Sequence, residues 1–181
     1  MDDLPGDQAP GLCPPVITVW LAADVEEALF HEATSHAPHE TGGVLMGWST
    51  GEDICVTNVI GPGPDATHER TSFLPDNKWQ AEQIATLYER SGRRLSYLGD
   101  WHTHPGHQPV PSLRDRRTLR AIARHKAARC PRPVMAILGQ PEGDTWVMRC
   151  HVHEGGRLQR RVQPQRAHVV SAPSLQGWDP R

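Results

Sequence analysis

A short continuous apolar run, "VITVWL" (16–21), is the first element the chain offers, and its length suits a buried strand. Apolar positions then recur at helical spacing, at Val25, Ala28, Leu29 and Ala33. Asp24 can cap that helix, and Glu27, three residues on, completes a capping box. Two more apolar runs, "GGVLMGWS" (42–49) and "DICVTNVIG" (53–61), flank the turn-forming "STGED" and predict a hairpin. "GPGPDATHERTSFLPD" (61–76) breaks the pattern with a long Gly/Pro loop, a kind often retained for function. Asp76 opens a second helix to about Arg90, with Ile84, Leu87 and Tyr88 inward. "LSYLGDW" (95–101) is a strand, and "SLRDRRTLRAIARHKAAR" (112–129) is a helix capped by Ser112, with Leu119, Ile122 and Ala123 facing the core. "PVMAILG" (133–139), "TWVMRCHVH" (145–153) and "RLQRRVQ" (157–163) read as further strands.

Strand pairs adjacent in sequence, interspersed with three helices, predict an α/β sandwich: a mixed, largely antiparallel sheet flanked by helices. Residues 1–15, with four prolines, read as a flexible arm, residues 16–163 as one folded domain, and the polar stretch 164–181 as a loose tail. A chain of 181 residues can bury roughly two thirds of its unfolded surface, so it needs no disulfide support. Cys13, Cys55, Cys130 and Cys150 form no C-x-x-C pair, which argues against a cysteine zinc ribbon and for a reducing compartment. "MDDLPGDQAP" lacks the basic start and apolar run of a signal peptide, and no stretch approaches a membrane span. The expectation is a cytoplasmic protein without a membrane partner.

Charge changes this picture only in its distribution. Residues 1–69 hold twelve acidic side chains and no Lys or Arg; the remainder holds nineteen basic and nine acidic ones. Such a split can orient an acidic partner, but a solvated helix face is the favoured account of it. Nucleic acid is not expected, because the basic segment 114–132 has no interleaved aromatics to stack bases.

Chemistry concentrates in "YLGDWHTHPGHQPVPSLRDRRTL" (97–119). His102 and His104 stand at strand spacing, so both imidazoles point to the same side, roughly 6–7 Å apart. Pro105 ends the strand, and Asp115 returns in the first turn of a helix, where the macrodipole also favours a carboxylate. Two imidazoles and one carboxylate leave a tetrahedral Zn2+ with its fourth position open, the ligand count of a catalytic site. The other histidine pairs lack such support. "HEATSH" (31–36) has a gap that keeps His31 and His36 off one helix face. His151 and His153 have no carboxylate or serine nearby and read as strand surface. His107 lies close in sequence without an assignable role, and Trp101 is expected to pack behind the ligands on the opposite strand face. Ser112 and Asp115 also form a capping box, and capping competes with metal binding for the Asp115 oxygens.

The spacing His102-x-His104, seven residues to Ser112 and two more to Asp115 matches H-x-H-x7-S-x2-D. It resembles the JAMM motif of the JAB/MPN metalloprotease family, and "HETGGVLMG" (39–47) resembles that family's upstream glutamate segment, placing the glutamate at Glu40. The resemblance spans roughly residues 16–163 and implies the MPN/JAB (cytidine-deaminase-like) sandwich. It implies a zinc-dependent peptidase or isopeptidase, deubiquitinase-like, with His102, His104 and Asp115 as ligands, Glu40 as base and Ser112 as oxyanion donor. The substrate implied is a ubiquitin-like protein or its conjugate. The 61–76 loop and the size look most like small bacterial members, some found beside ubiquitin-activating (E1) or ubiquitin-conjugating (E2) enzyme homologues, including in antiphage systems. Trimming of a sulfur-carrier protein or small molecule, and a non-catalytic MPN scaffold, are the alternative readings.

Overall fold

The computed structural model describes residues 17–50, 53–153, 165–166 and 168–172. Strand β1 (Thr18–Ala22) runs directly into helix α1 (Ala23–His36), followed by β2 (Gly42–Thr50) and β3 (Asp53–Ile60). The 61–76 loop contains a two-residue ladder, β4 (Thr67–His68) with β5 (Phe73–Leu74). After α2 (Asn77–Arg90) come β6 (Ser96–His104), α3 (Leu113–Arg124), β7 (Val134–Gly139) and β8 (Val147–Val152). Two short strands, β9 (Gln165–Arg166) and β10 (His168–Ala172), follow.

One sheet carries the order β10-β1-β3-β2-β6-β7-β8-β9. Its pairings are parallel at β1/β10, β1/β3 and β6/β7 and antiparallel at the other four, which makes it the mixed sheet that the strand pattern predicted. β7 shows why both faces must be covered: Val134, Ala136 and Leu138 join the cluster under α1, while Met135 and Ile137 pack with Leu119 of α3. A central strand buried on both sides reads as an unbroken apolar run, which is what "VMAILG" is. On the α2 side, Val44, Met46 and Ile60 are covered by Trp79, Ile84 and Leu87. No described helix is long and apolar enough to cross a membrane.

Several expectations need correcting. α1 begins one residue before Asp24 and its N-cap is Ala22, with no side-chain cap bond. Because β1 feeds the helix without a linker, Asp24 falls inside the first turn, where its Oδ1 accepts from the Val25 N–H at 3.0 Å. Ala28 is exposed, so the buried stripe of α1 is Val25, Leu29 and Ala33. Asp76 does cap α2, accepting from the Trp79 N–H at 3.0 Å. α3 ends at Arg124, and a separate 3-10 turn covers Lys126–Ala128. Within the stretch expected as a loose tail, β10 pairs in parallel with β1 from Thr18↔His168 to Ala22↔Ala172. That strand satisfies the open edge of β1, a role that polar composition hid. The expected strand 157–163 and the arm 1–15 lie outside the described residues.

Candidate active site

β6 delivers the two histidines, and an irregularity in it sets their direction. The register with β2 shifts between Leu45↔Gly99 and Met46↔Tyr97, leaving Leu98 as the extra residue of a bulge. Gly99 takes φ +145° there, and a Cβ on it would overlap the Val134 backbone, so the position requires glycine. Beyond the bulge, Trp101 and Thr103 turn into the α1-side core while Asp100, His102 and His104 look toward α2 and α3. Trp101 is fully buried and donates through Nε1 to the Ile60 carbonyl at 3.2 Å, so it does pack behind the ligands.

After Pro105, Gly106 (φ +71°) reverses the chain and a short loop leads into α3. Ser112 caps that helix: its Oγ accepts from the Asp115 N–H at 3.2 Å, while Asp115 Oδ2 accepts from the Ser112 N–H at 2.7 Å. The competition expected for Asp115 is resolved by division between its oxygens. Oδ1 lies 3.5 Å from His102 Nε2, and Oδ2 lies 3.7 Å from His104 Nε2 while holding the cap. The two Nε2 atoms stand 2.9 Å apart, and the candidate ligand atoms of all three residues lie within 4.8 Å of one another.

This donor set fits a metal ion. His104 Nδ1 faces the Gln108 carbonyl at 3.4 Å, and a carbonyl can only accept, so the proton belongs on Nδ1 and the Nε2 lone pair points inward. Burial, reinforced by His102, pushes the His104 pKa down, toward the neutral form a ligand needs. For Asp115, burial pushes up, but the hydrogen bond and charge of His102 with the Ser112 bonds outweigh it and hold the carboxyl well below the usual range. Two imidazole Nε2 atoms 2.9 Å apart, facing an ionised carboxylate, are an arrangement that a cation between them would stabilise.

Glu40 precedes β2, whose Gly42 pairs with His102 in register. The strand can approach so closely because Gly42 and Gly43 lack side chains: a Cβ on Gly42 would stand 2.8 Å from Phe73 Cε1, and one on Gly43 would overlap the Ile60 carbonyl. Glu40, His102, His104, Ser112 and Asp115 all line one cavity of about 710 Å³ between α2 and α3. Burial raises the Glu40 pKa, with the His102 charge opposing, which leaves a more basic carboxylate.

The other histidines behave differently from one another. His36 sits beside Glu32 at 3.2 Å and, like His31, is no part of the metal group. His107 is close enough to act electrostatically on Glu40 and His104 without joining them. His151 and His153 are buried, not surface residues: the Pro109 carbonyl covers His151 at 3.3 Å, and His153 faces Arg120 and Arg124 of α3. The sequence reading also missed Tyr97 and Asp100, which share the cavity wall and bond at 2.6 Å from Tyr97 Oη to Asp100 Oδ1. Glycine inside a predicted strand was the available signal, since the bulge at Gly99 puts residues three apart on one face.

A family model for prokaryotic homologs of the JAB domain matches residues 22–164. The chain belongs to this prokaryotic JAB family. A probable metalloprotease of Sinorhizobium fredii is 42% identical over 147 residues, which are 80% of this chain and 87% of that protein. A CD-NTase/cGAS isopeptidase of Enterobacter hormaechei is 30% identical over 149 residues, 81% of each chain. One of the same name from Vibrio cholerae is 31% identical over 96 residues, 53% of this chain and 62% of that one. The solution structure of a Desulfitobacterium hafniense protein superposes with a TM-score of 0.61 at 18% identity, over 87% of this chain and 95% of that one, which shows a shared fold. Family and relatives together make this JAB domain a hydrolase of the JAB type that works with a metal cofactor.

Proposed function

We propose that this JAB domain is a zinc-dependent JAMM isopeptidase that cuts after the C-terminal residue of a ubiquitin-like protein, freeing a downstream polypeptide or a lysine-linked target. The observation that carries the reading is the convergence of His102, His104 and Asp115 within 4.8 Å in the cavity that Glu40 and Ser112 also line. Relatives named isopeptidases favour a protein conjugate as the substrate, with a CD-NTase-like enzyme as one candidate target.

In this mechanism His102, His104 and Asp115 hold the zinc, which when bound supplies Lewis acidity to activate water and polarise the scissile carbonyl. Glu40 accepts the proton of the attacking water and passes it to the leaving amine. Its raised pKa serves the first step, because a stronger base takes the proton more readily. Ser112 Oγ accepts from the helix N–H, so its own O–H proton is free to donate to the oxyanion. Capping and catalysis therefore use different parts of one hydroxyl.

Two substitutions separate these roles. Ser112→Ala removes cap and donor together, whereas Ser112→Gly costs only a few tenths of a kcal/mol as a cap. Both variants are expected to lose roughly 10²–10³ in kcat, with only Ser112→Ala losing about 1 kcal/mol of stability. Wild-type kcat in Ser112→Gly would leave Ser112 a cap alone.

The reading is tested with fusions of ubiquitin-like proteins from the same genome to a reporter, joined through peptide or lysine isopeptide bonds. The expected result is cleavage after the modifier's last residue, abolished by chelator and restored by zinc. Activity confined to short peptide amides would favour trimming of a carrier protein. Inactivity on every probe would favour a scaffold.

A further inference from the structure

Glu40 lies between α1 and β2, outside any regular element, so no ladder of backbone hydrogen bonds fixes it. Among the described residues, no side chain bonds to its carboxylate either. Where that carboxylate points therefore depends on how its backbone is held. On one side the next residue is tied to the ligand strand: the Thr41 N–H donates to Thr103 Oγ1 at 2.9 Å, and the Thr103 N–H donates to the Thr41 carbonyl at 2.9 Å. Thr103 is the residue between the two ligand histidines.

On the other side the grip comes from the 61–76 loop. The Glu40 N–H donates to the Glu69 carbonyl at 2.7 Å, and the Glu40 carbonyl lies 3.0 Å from His68 Nδ1. A carbonyl only accepts, so His68 carries its proton on Nδ1. The His68 ring is itself held, stacked on His36 with centroids 4.2 Å apart and tilted against Phe73 at 5.6 Å. The turn beyond it is closed by Ser72, whose Oγ donates to Glu69 Oε2 at 2.6 Å and whose carbonyl accepts from the Glu69 N–H at 2.9 Å.

We infer that His68 is a positioning residue for Glu40, its Nδ1–H clamping the Glu40 carbonyl so that the carboxylate is aimed at the site. The inference rests on the proposed role of Glu40 as base. A base acts only within hydrogen-bond reach of its proton, roughly 2.6–3.2 Å, so a slack backbone at Glu40 lowers turnover without touching the metal ligands. It also gives the Gly/Pro loop a task beyond connection: its short ladder presents the donor that Glu40 needs.

Two variants separate the donor from the ring. In His68→Asn the amide Nδ2 can occupy the place of imidazole Nδ1 and keep the donor while losing the stack. In His68→Phe the stack on His36 remains and the donor is lost. His68→Phe is expected to lower kcat on the ubiquitin-like fusion by roughly ten- to a hundredfold, with KM and metal content near wild type. His68→Asn is expected to recover most of that loss. In a Glu40→Gln background His68→Phe should add little further loss, because it acts through the residue already removed. A readout independent of turnover is long-range proton–nitrogen NMR, which should find His68 protonated at Nδ1. An Nε2–H tautomer, wild-type kcat in His68→Phe, or His68→Asn as slow as His68→Phe would each overturn the inference. A fully active Glu40→Gln would instead overturn the role of Glu40 as base.

Discussion

Glu40→Gln should bind metal as wild type does and turn over its substrate roughly 10²–10⁴-fold more slowly. The two halves of that result have separate physical origins. Glu40 stands outside the group of His102, His104 and Asp115, so losing its charge removes no ligand. Its amide replacement is nearly isosteric and leaves the Thr41–Thr103 and His68 contacts, all made by backbone atoms of this segment, in place. What disappears is a carboxylate whose basicity burial has already raised. Metal analysis and kcat on one preparation check both halves. Loss of metal would move Glu40 into the coordination shell, and an unchanged kcat would remove it from the mechanism.

Much of the site was legible because its geometry is local. His102 and His104 depend only on strand alternation, and Ser112 and Asp115 only on the spacing of a helix start, so local pattern orients each pair on its own element, and the loop after Pro105 brings the two elements together. Glu40 is different, since nothing in periodicity links residue 40 to residue 102; only the resemblance placed it. The structure supplies the link through the bare backbone of Gly42 and Gly43 and the pairing Gly42↔His102.

The features that escaped sequence reading are those in which tertiary contact overrides local pattern. His151 and His153 look like the polar face of an edge-facing strand, yet α3 and the loop at Pro109 cover them. Tyr97 and Asp100 are three apart and share a face only because of the bulge at Gly99. His68 lies in a loop with no periodicity to interpret, and its partner is a main-chain carbonyl, which no side-chain motif records. The tail strand β10 escaped for a related reason. A strand that completes an edge needs backbone pairing more than an apolar face.

Removing the ligands should have the largest effect of all, and Asp115 is the informative one because it has two tasks. His102→Ala and His104→Ala should each lose the metal and bring turnover to background, since two remaining ligands hold an ion poorly in a site built from three. Asp115→Ala should lose the metal and also destabilise α3, because the Ser112 N–H, now bonded to Oδ2 at 2.7 Å, would be left without its partner. Asp115→Asn separates the tasks. Its amide oxygen can still accept from the Ser112 N–H, so thermal stability in the metal-free form should stay close to wild type. The negative charge that His102 and the cap hold ionised is gone, so metal affinity should fall steeply, with turnover following it. Titration with zinc should then restore part of the rate in Asp115→Asn at high metal concentration and little in His102→Ala, where a ligand nitrogen is missing. Asp115→Asn with wild-type metal affinity would remove Asp115 from the ligand set and leave it a helix cap.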